Sequence, residues 1–168
     1  MKTSSKSSKS LATAAPASSV HYRIEVPDVH SHLFTVHMTV ASPASAQTLR
    51  LPAWIPGSYL LREFAKHLQQ LECRQGGKRI PVTQLDKATW QVSCRIGLPL
   101  EVSYEVYAFD ASVRTAWLDA QRGFFNGTSL CLQVPEAAAE PHTLDIAPVA
   151  GTTGWQLATG LPAVTVDK

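Results

Sequence analysis

The sequence predicts an all-β fold, an antiparallel β-sandwich or saddle-like domain with at most one short helix. Short stretches of alternating apolar and polar residues recur from residue 20 onward, and turn-forming residues separate them. The chain lacks a regular succession of strand and helix patterns, an internal repeat and a glycine-rich phosphate loop. Its 168 residues suffice for one domain with a sizeable core.

The chain divides by composition into a flexible tail, residues 1–19, and a β-rich domain, residues 20–168. The tail is rich in serine, alanine and lysine and has no acidic residue. Such a segment buries too little apolar surface to offset its ordering entropy. Its weak apolar stretch is interrupted by Thr13 and Pro16, which is not typical of a signal peptide.

Charge and hydropathy exclude two classes of partner. The formal net charge is +2, but three of the fifteen basic residues are tail lysines, which leaves twelve against thirteen acidic residues. A body of nearly neutral charge does not favour nucleic acid as a partner. No segment approaches the roughly 20 apolar residues that cross a bilayer, so no membrane partner is predicted.

The three cysteines predict a reducing compartment. Cys73, Cys94 and Cys131 are odd in number, far apart and without CxxC spacing. This pattern favours three buried thiols over a disulfide framework or a zinc site. We therefore expect a cytoplasmic location, with the periplasm as the alternative.

The first two strands have the clearest pattern. Residues 20–26 and 32–41 each alternate between an apolar face and a polar face, and Pro27 and Asp28 separate them, which suggests a hairpin or meander. The inward residues are expected to be Val20, Tyr22, Ile24, Val26, Phe34, Val36, Met38 and Val40. A short third strand over residues 46–52 leads into a proline-rich corner.

A short amphipathic helix is predicted after the corner, over residues 59–68. Leu60, Leu61, Phe64 and Leu68 fall at helical spacing, and Ser58 is a plausible cap. Strand patterns then resume at residues 68–74, and Gly76 and Gly77 predict the turn to a returning strand. The remaining strands are predicted at residues 78–82, 89–94, 100–109, 129–134, 143–149 and 155–159.

No recognisable catalytic or metal motif is present. His30 and His32 would lie on one strand face and could chelate zinc with a third ligand, but exposed or strand-end histidines are the favoured interpretation. The sequence contains neither HExxH nor G-x-S-x-G. Glu101 and Glu105 are expected on a solvated strand face, and Asn126-Gly-Thr is interpreted as a turn. No catalytic residue and no metal ligand is therefore predicted.

The corner "LPAWIPGSYLLREF", residues 51–64, carries more than a bend requires. Its prolines disfavour helix at the preceding residues, and Gly57 permits a sharp reversal. Trp54 and Tyr59 either plug the end of the sandwich or face another domain, with Tyr59 or Arg62 near the substrate amino terminus or the cleft rim. The block Gly123 to Ser129 leaves the same two alternatives open.

Five segments together resemble one known family. They are "LPAWIPGSYLLREFAKHL", "DKATWQV", "YEVYAFDASVRTAWLD", "RGFFNGTSLCL" and "GWQLATGLP". This pattern is similar to the amino-terminal domain of the glycyl aminopeptidase family, zinc metallopeptidases that also carry a PDZ domain. The W-x-P-G-S-Y and F-F-N-G-T-S blocks are its specific parts.

The resemblance implies a β-rich module that precedes a thermolysin-like domain. That domain would hold the HExxH zinc ligands, so this chain is expected to hold no cofactor itself. Its partner would be the catalytic domain of the same polypeptide, with indirect contact to peptide substrate. We therefore expect the chain to be the first part of a longer polypeptide.

The leading hypothesis is a non-catalytic domain that shapes the cleft of a zinc aminopeptidase acting on small amino-terminal residues. The alternative is a free-standing β-sandwich that binds protein or glycan through exposed aromatics such as Trp54 and Trp117. The candidate cleft or interdomain contacts are Trp54, Pro56, Gly57, Ser58, Tyr59, Arg62, Phe125, Asn126, Gly127 and Thr128.

Overall fold

A computed structural model describes residues 19–112, 114–149, 152 and 154–164. The predicted tail lies outside these ranges, apart from Ser19. The all-β prediction is confirmed, and the described residues include one α-helix of four residues, α1, Gly127–Leu130. The strands are β1 Val20–Glu25, β2 Leu33–Val40, β3 Ala46–Arg50, β4 Leu68–Gln75, β5 Lys78–Ile80, β6 Val82–Asp86, β7 Thr89–Ser93, β8 Leu100–Tyr107, β9 Trp117–Leu118, β10 Gly123–Phe124 and β11 His142–Ile146.

The strands form three sheets. The largest has the order β11-β1-β2-β8-β4-β5, a second has the order β3-β7-β6, and β9 and β10 form a small ribbon. All pairs are antiparallel except β1 with β11, which run parallel with Val20 opposite His142. Pro81 separates β5 from β6, so the chain changes sheets at a residue that has no amide hydrogen to donate.

One hydrophobic core is shared by the elements of the two larger sheets. The predicted inward faces of β1 and β2 are confirmed, since all eight of those side chains are buried. The opposing sheet contributes Leu49, Trp90 and Val92, and β8 contributes Val102 and Tyr104. The alternation is correct because one face of each strand packs on the core while the other meets water.

The predicted helix over residues 59–68 is wrong. Only a 3-10 turn, Phe64–His67, forms there, and Leu68 already begins β4. Leu60 and Leu61 are exposed, so Phe64 is the one residue of that predicted apolar face that is buried. A helix of two to three turns needs a packed apolar face because its nucleation is unfavourable.

Two predicted strands do not form. Residues 129–134 begin in α1 and continue as an extended segment in which only Gln133 makes a β-bridge, with Arg50. Leu130, Leu132 and Val134 are buried as the alternation predicts. Residues 155–159 form no strand either. The alternation of apolar and polar residues therefore predicts correctly which side chains of residues 129–134 are buried. Whether such a segment joins a sheet depends on a neighbouring strand, which the sequence does not identify.

The predicted placement of the histidine pair is also wrong. His30 lies in a 3-10 turn, Val29–Ser31, and His32 caps that turn with φ 56°, so they do not share a strand face. Among the described residues, no group of three or more histidine, cysteine, aspartate or glutamate side chains could hold a metal ion. No helix in the described part of the chain is both long and apolar enough to cross a membrane.

Candidate functional site

The corner between β3 and the 3-10 turn is held by a compact set of hydrogen bonds. The Ser58 amide donates to the Ile55 carbonyl at 3.1 Å, and Gly57 has φ 81°, as a sharp reversal requires. The Trp54 indole donates to the Ser58 carbonyl at 2.8 Å. The Arg62 amide donates to the Ala53 carbonyl at 2.7 Å and closes the loop. The corner is therefore an ordered feature of the fold.

The two corner aromatics face solvent. Trp54 is 51% exposed and Tyr59 is fully exposed, so the interpretation that both plug the end of the sandwich is wrong. Ile55 and Ser58 are the buried residues between them. The Ser58 hydroxyl donates to the Leu60 carbonyl at 2.9 Å and accepts from the Leu60 amide, so it stabilises a turn and caps no helix. Burial of Ile55 and Ser58 thus anchors the loop, while the Trp54 and Tyr59 side chains point outward.

The second candidate block, Gly123 to Ser129, is positioned by a helix cap. The Asn126 side-chain oxygen accepts from the Thr128 amide at 3.1 Å and from its hydroxyl at 2.8 Å. Phe125 is half-buried and meets Phe34 edge-to-face, with centroids 5.5 Å apart. Phe125 therefore packs on the core, while Asn126 and Gly127 remain exposed.

The second block meets the turn that follows the corner, because α1 lies against the 3-10 turn Phe64–His67. Two buried nitrogens in this region, Arg62 Nε and His67 Nε2, have no hydrogen-bond partner among the described residues. Burial lowers the pKa of His67, with Lys66 as a smaller cause in the same direction and Asp110 opposing. The neutral imidazole is therefore favoured in the folded chain.

Two buried tyrosines hold the segment that carries α1. Tyr104 donates to the Leu130 carbonyl and accepts from the Leu132 amide, both at 2.9 Å. Tyr22 donates to the Leu132 carbonyl at 2.7 Å. Burial raises the pKa of both phenols above the ordinary value, so they remain neutral donors. These bonds replace the strand ladder that residues 129–134 lack.

The cysteines are free thiols, as predicted. Cys73 is buried, whereas Cys94 and Cys131 are partly accessible. Burial raises the pKa of Cys73 and of Cys131 to about 12 and also raises the pKa of Cys94. Because the thiolate is the reactive form, none of the three is arranged as a nucleophile.

Sequence reasoning missed an exposed aromatic surface at the end of β8. Tyr107 lies on the same outward face of β8 as Glu101 and Glu105, and the exposed Phe109 follows it. Phe109 stacks on Trp117, with ring centroids 4.5 Å apart. The sequence does contain a signal for this surface, because Tyr107 is an aromatic residue on a strand face that is otherwise polar. From the sequence, Arg114, Trp117 and Asp119 are expected to order the long connection in which they lie. The Trp117 indole donates to the Asp119 carboxylate at 2.8 Å.

Comparison with known proteins decides the family. A family model, the Peptidase M61 N-terminal domain, matches residues 21–168. The chain belongs to this family. The expected peptidase-family membership is thereby confirmed, and the M61 N-terminal domain accounts for the whole β-rich part of the sequence.

One solved structure supports the assignment of this M61 domain. The domain is similar to an aminopeptidase N family protein from Idiomarina loihiensis, with 41% identity and a TM-score of 0.75 over 86% of this chain and 26% of that chain. It is also matched to an M1 zinc metallopeptidase from Deinococcus radiodurans, with 12% identity and a TM-score of 0.47 over 76% of this chain and 30% of that chain. No curated protein matches the chain. The M61 domain thus spans about a quarter of the first relative's length.

Proposed function

We propose that this M61 N-terminal domain is a non-catalytic part of a zinc-dependent aminopeptidase that prefers amino-terminal glycine and other small residues. It packs on the catalytic domain and shapes the substrate cleft. The family match over residues 21–168 carries the proposal, because the family is a peptidase family and the solved relative is about four times longer than the matched part. The zinc and its ligands would lie outside this chain.

The corner supports a role at the cleft. Its hydrogen bonds hold Trp54 and Tyr59 outward on a rigid β scaffold, where loops commonly carry binding residues. The side chain of Tyr59 is fully exposed, so its ring is available to a second body. We assign Tyr59 to the cleft rim, where it excludes water and limits access to free chain ends. Arg62 orders the loop through its backbone amide, which donates to the Ala53 carbonyl.

The rival function, a free-standing module that binds protein or glycan, has less support. The Trp54 and Trp117 indole N–H groups are already donated to Ser58 and Asp119 within the domain. Trp117 is also half-buried under Phe109. Neither indole N–H remains available to recognise a ligand.

The test compares the 168-residue chain with the full polypeptide that carries it. We expect the full polypeptide to hydrolyse glycyl-p-nitroanilide faster than leucyl-p-nitroanilide, and a chelator to abolish this activity. The chain alone should hydrolyse neither. Activity of the purified chain, or an inactive full polypeptide, would contradict the proposal.

The corner is tested by Tyr59→Ala in the full polypeptide, with Ile96→Ala as the matched control. Both side chains are strongly exposed, at 103% and 82%, so neither change should alter the thermal midpoint of unfolding. We expect kcat/KM for the glycyl substrate to fall roughly tenfold for Tyr59→Ala, a typical loss for one buried aromatic contact, and to stay constant for Ile96→Ala. Equal kcat/KM values for the two variants would show that the corner does not border the substrate cleft.

A further inference from the structure

Four aromatic side chains cluster at one end of the domain and are called the aromatic ledge: the exposed Tyr107, Phe109 and Phe124, and the half-buried Trp117. The exposed fractions of Tyr107, Phe109 and Phe124 are 42%, 44% and 47%. Phe109 stacks on Trp117, and Trp117 pairs with Phe124 across the β9–β10 ribbon. Clustered exposure of this kind is unusual for a surface that meets only water.

The ledge is held rigidly from behind. The His32 ring lies 3.9 Å from Phe109 between centroids and meets Tyr107 edge-to-face at 6.5 Å. His32 Nδ1 donates to the Leu118 carbonyl at 2.6 Å, which sets the orientation of the imidazole. Because the rings are already immobilised, covering them loses little side-chain entropy.

The rest of the same sheet face is polar. Arg23 pairs with Glu25 and Asp145, and Arg79 pairs with Glu72 at 3.3 Å. The Gln69 and Gln70 amides both donate to Glu105 at 3.0 Å. The outward aromatics are therefore confined to one end of the sheet, as expected where a neighbouring body covers that end and water covers the remainder.

A cleft of about 550 Å³ adjoins the ledge. Its lining includes Trp117 and Phe124 on the apolar side and Asp110 and Arg122 on the polar side. An apolar centre with charged residues at its edge is the usual composition of a protein–protein contact.

The C-terminal segment reaches the ribbon that carries Trp117 and Phe124, on the opposite face from these two rings. A Cβ placed on Gly123 would lie 3.5 Å from both the Trp155 ring and the buried Leu118, so Trp155 packs on the core-facing side of the β9–β10 ribbon. Leu157, Leu161 and Val164 in this segment are 67%, 62% and 50% exposed. In the proposed peptidase the catalytic part follows this segment, which places the catalytic part next to the ribbon that carries part of the ledge.

We propose that the aromatic ledge and its cleft are the surface on which the catalytic part of the peptidase packs. This inference rests on the proposed function and names the face used. The ledge is separate from the corner: the corner borders the substrate cleft, and the ledge carries the contact between the two parts. Apolar side chains of the catalytic part enter the cleft that Trp117 and Phe124 line.

Hydroxyl-radical footprinting with mass spectrometry tests the surface on native residues. Oxidation rates are measured in the 168-residue chain and in the full polypeptide. We expect the rates at Tyr107, Phe109 and Phe124 to fall at least about tenfold in the full polypeptide, because an interface core excludes water. Leu85 and Ile96, which are 53% and 82% exposed, are the matched controls and should keep their rates. Tyr104 is 1% exposed and should stay unreactive in any folded sample.

The outcomes separate the two proposals. If the full polypeptide hydrolyses glycyl substrate and its ledge reacts as fast as in the chain alone, the ledge proposal fails while the function stands. If the full polypeptide is inactive under all metal conditions, the proposed function fails. Concentration-dependent protection of the ledge in the chain alone would identify a second copy as the occupant and also overturn the proposal.

A pair of variants of the full polypeptide tests the ledge without requiring the 168-residue chain to fold alone. Phe109→Lys is compared with Ile96→Lys in the full polypeptide, and limited proteolysis after residue 164 is followed. A charge buried in the contact should separate the two parts and raise the cleavage rate at least about tenfold for Phe109→Lys. The control should cleave like the unmodified protein, and equal rates for both variants would overturn the proposal.

Discussion

Tyr104→Phe removes one oxygen atom from the centre of the domain. The Tyr104 side chain is 1% exposed, and its hydroxyl both donates to the Leu130 carbonyl and accepts from the Leu132 amide. Phenylalanine retains the ring packing but leaves these two backbone groups without that partner. The Leu132 carbonyl keeps its bond from Tyr22, so the segment is loosened and not released.

The magnitude follows from the two groups left unpaired. A buried polar group that loses its partner costs about 1–3 kcal/mol, so with two such groups the free energy of unfolding should fall by about 2–6 kcal/mol. For a domain of this size each kcal/mol corresponds to about 2–4 °C, so the midpoint should fall by about 4–24 °C. Hydrogen exchange at Ser129 to Leu132 should accelerate more than exchange in β2, because the loss is local to the segment.

Urea unfolding followed by tryptophan fluorescence measures the change, with Tyr107→Phe as the matched control. Tyr107 is 42% exposed, so its loss of a hydroxyl should change the free energy of unfolding by less than about 0.5 kcal/mol. A Tyr104→Phe loss as small as that of the control would show that the hydroxyl does not anchor the segment. In that case the tyrosine hydroxyls do not substitute for strand pairing at residues 129–134.

Three further predictions use the same unfolding and labelling assays. Gly57→Ala should destabilise the domain by about 1 kcal/mol, because φ 81° is strained for alanine, and an unchanged urea midpoint would contradict this. In the native chain at pH 8 a thiol reagent should label Cys94 before Cys73, which is fully buried and has a pKa raised to about 12; equal rates would refute the burial order. The lowered pKa of His67 means that the unfolded chain binds more protons, so stability should fall as pH drops below about 6.5. His67→Phe should flatten that part of the stability profile, and an unchanged slope would show that His67 is not its source.

Much of the architecture is predictable because it depends on local pattern. Val20, Tyr22 and Ile24 must share a face in any strand, and burial of that face determines the register with β2. Gly76 and Gly77 adopt the positive φ values that their hairpin requires. The Trp54 to Tyr59 corner stands out by its composition alone, with two prolines and a glycine beside two large aromatics. The family resemblance to which it contributes is confirmed over residues 21–168.

The failures have a common physical origin. Leu60 and Leu61 match a helical stripe, but nothing in the described part of the fold covers them, so no apolar burial stabilises a helix. Residues 129–134 alternate like a strand, yet the backbone groups of Leu130 and Leu132 bond to two tyrosine hydroxyls. β11 pairs in parallel with a strand about 120 residues away, a contact that local pattern does not specify.

By itself the sequence determined which side chains enter the core, where the chain turns, and to which family the domain belongs. Only the tertiary structure decided that Trp54 and Tyr59 face outward and that Tyr107, Phe109, Trp117 and Phe124 form one surface. The reason is that periodicity reports whether a side chain is covered, whereas an exposed surface is assembled from segments whose proximity depends on long-range strand pairing.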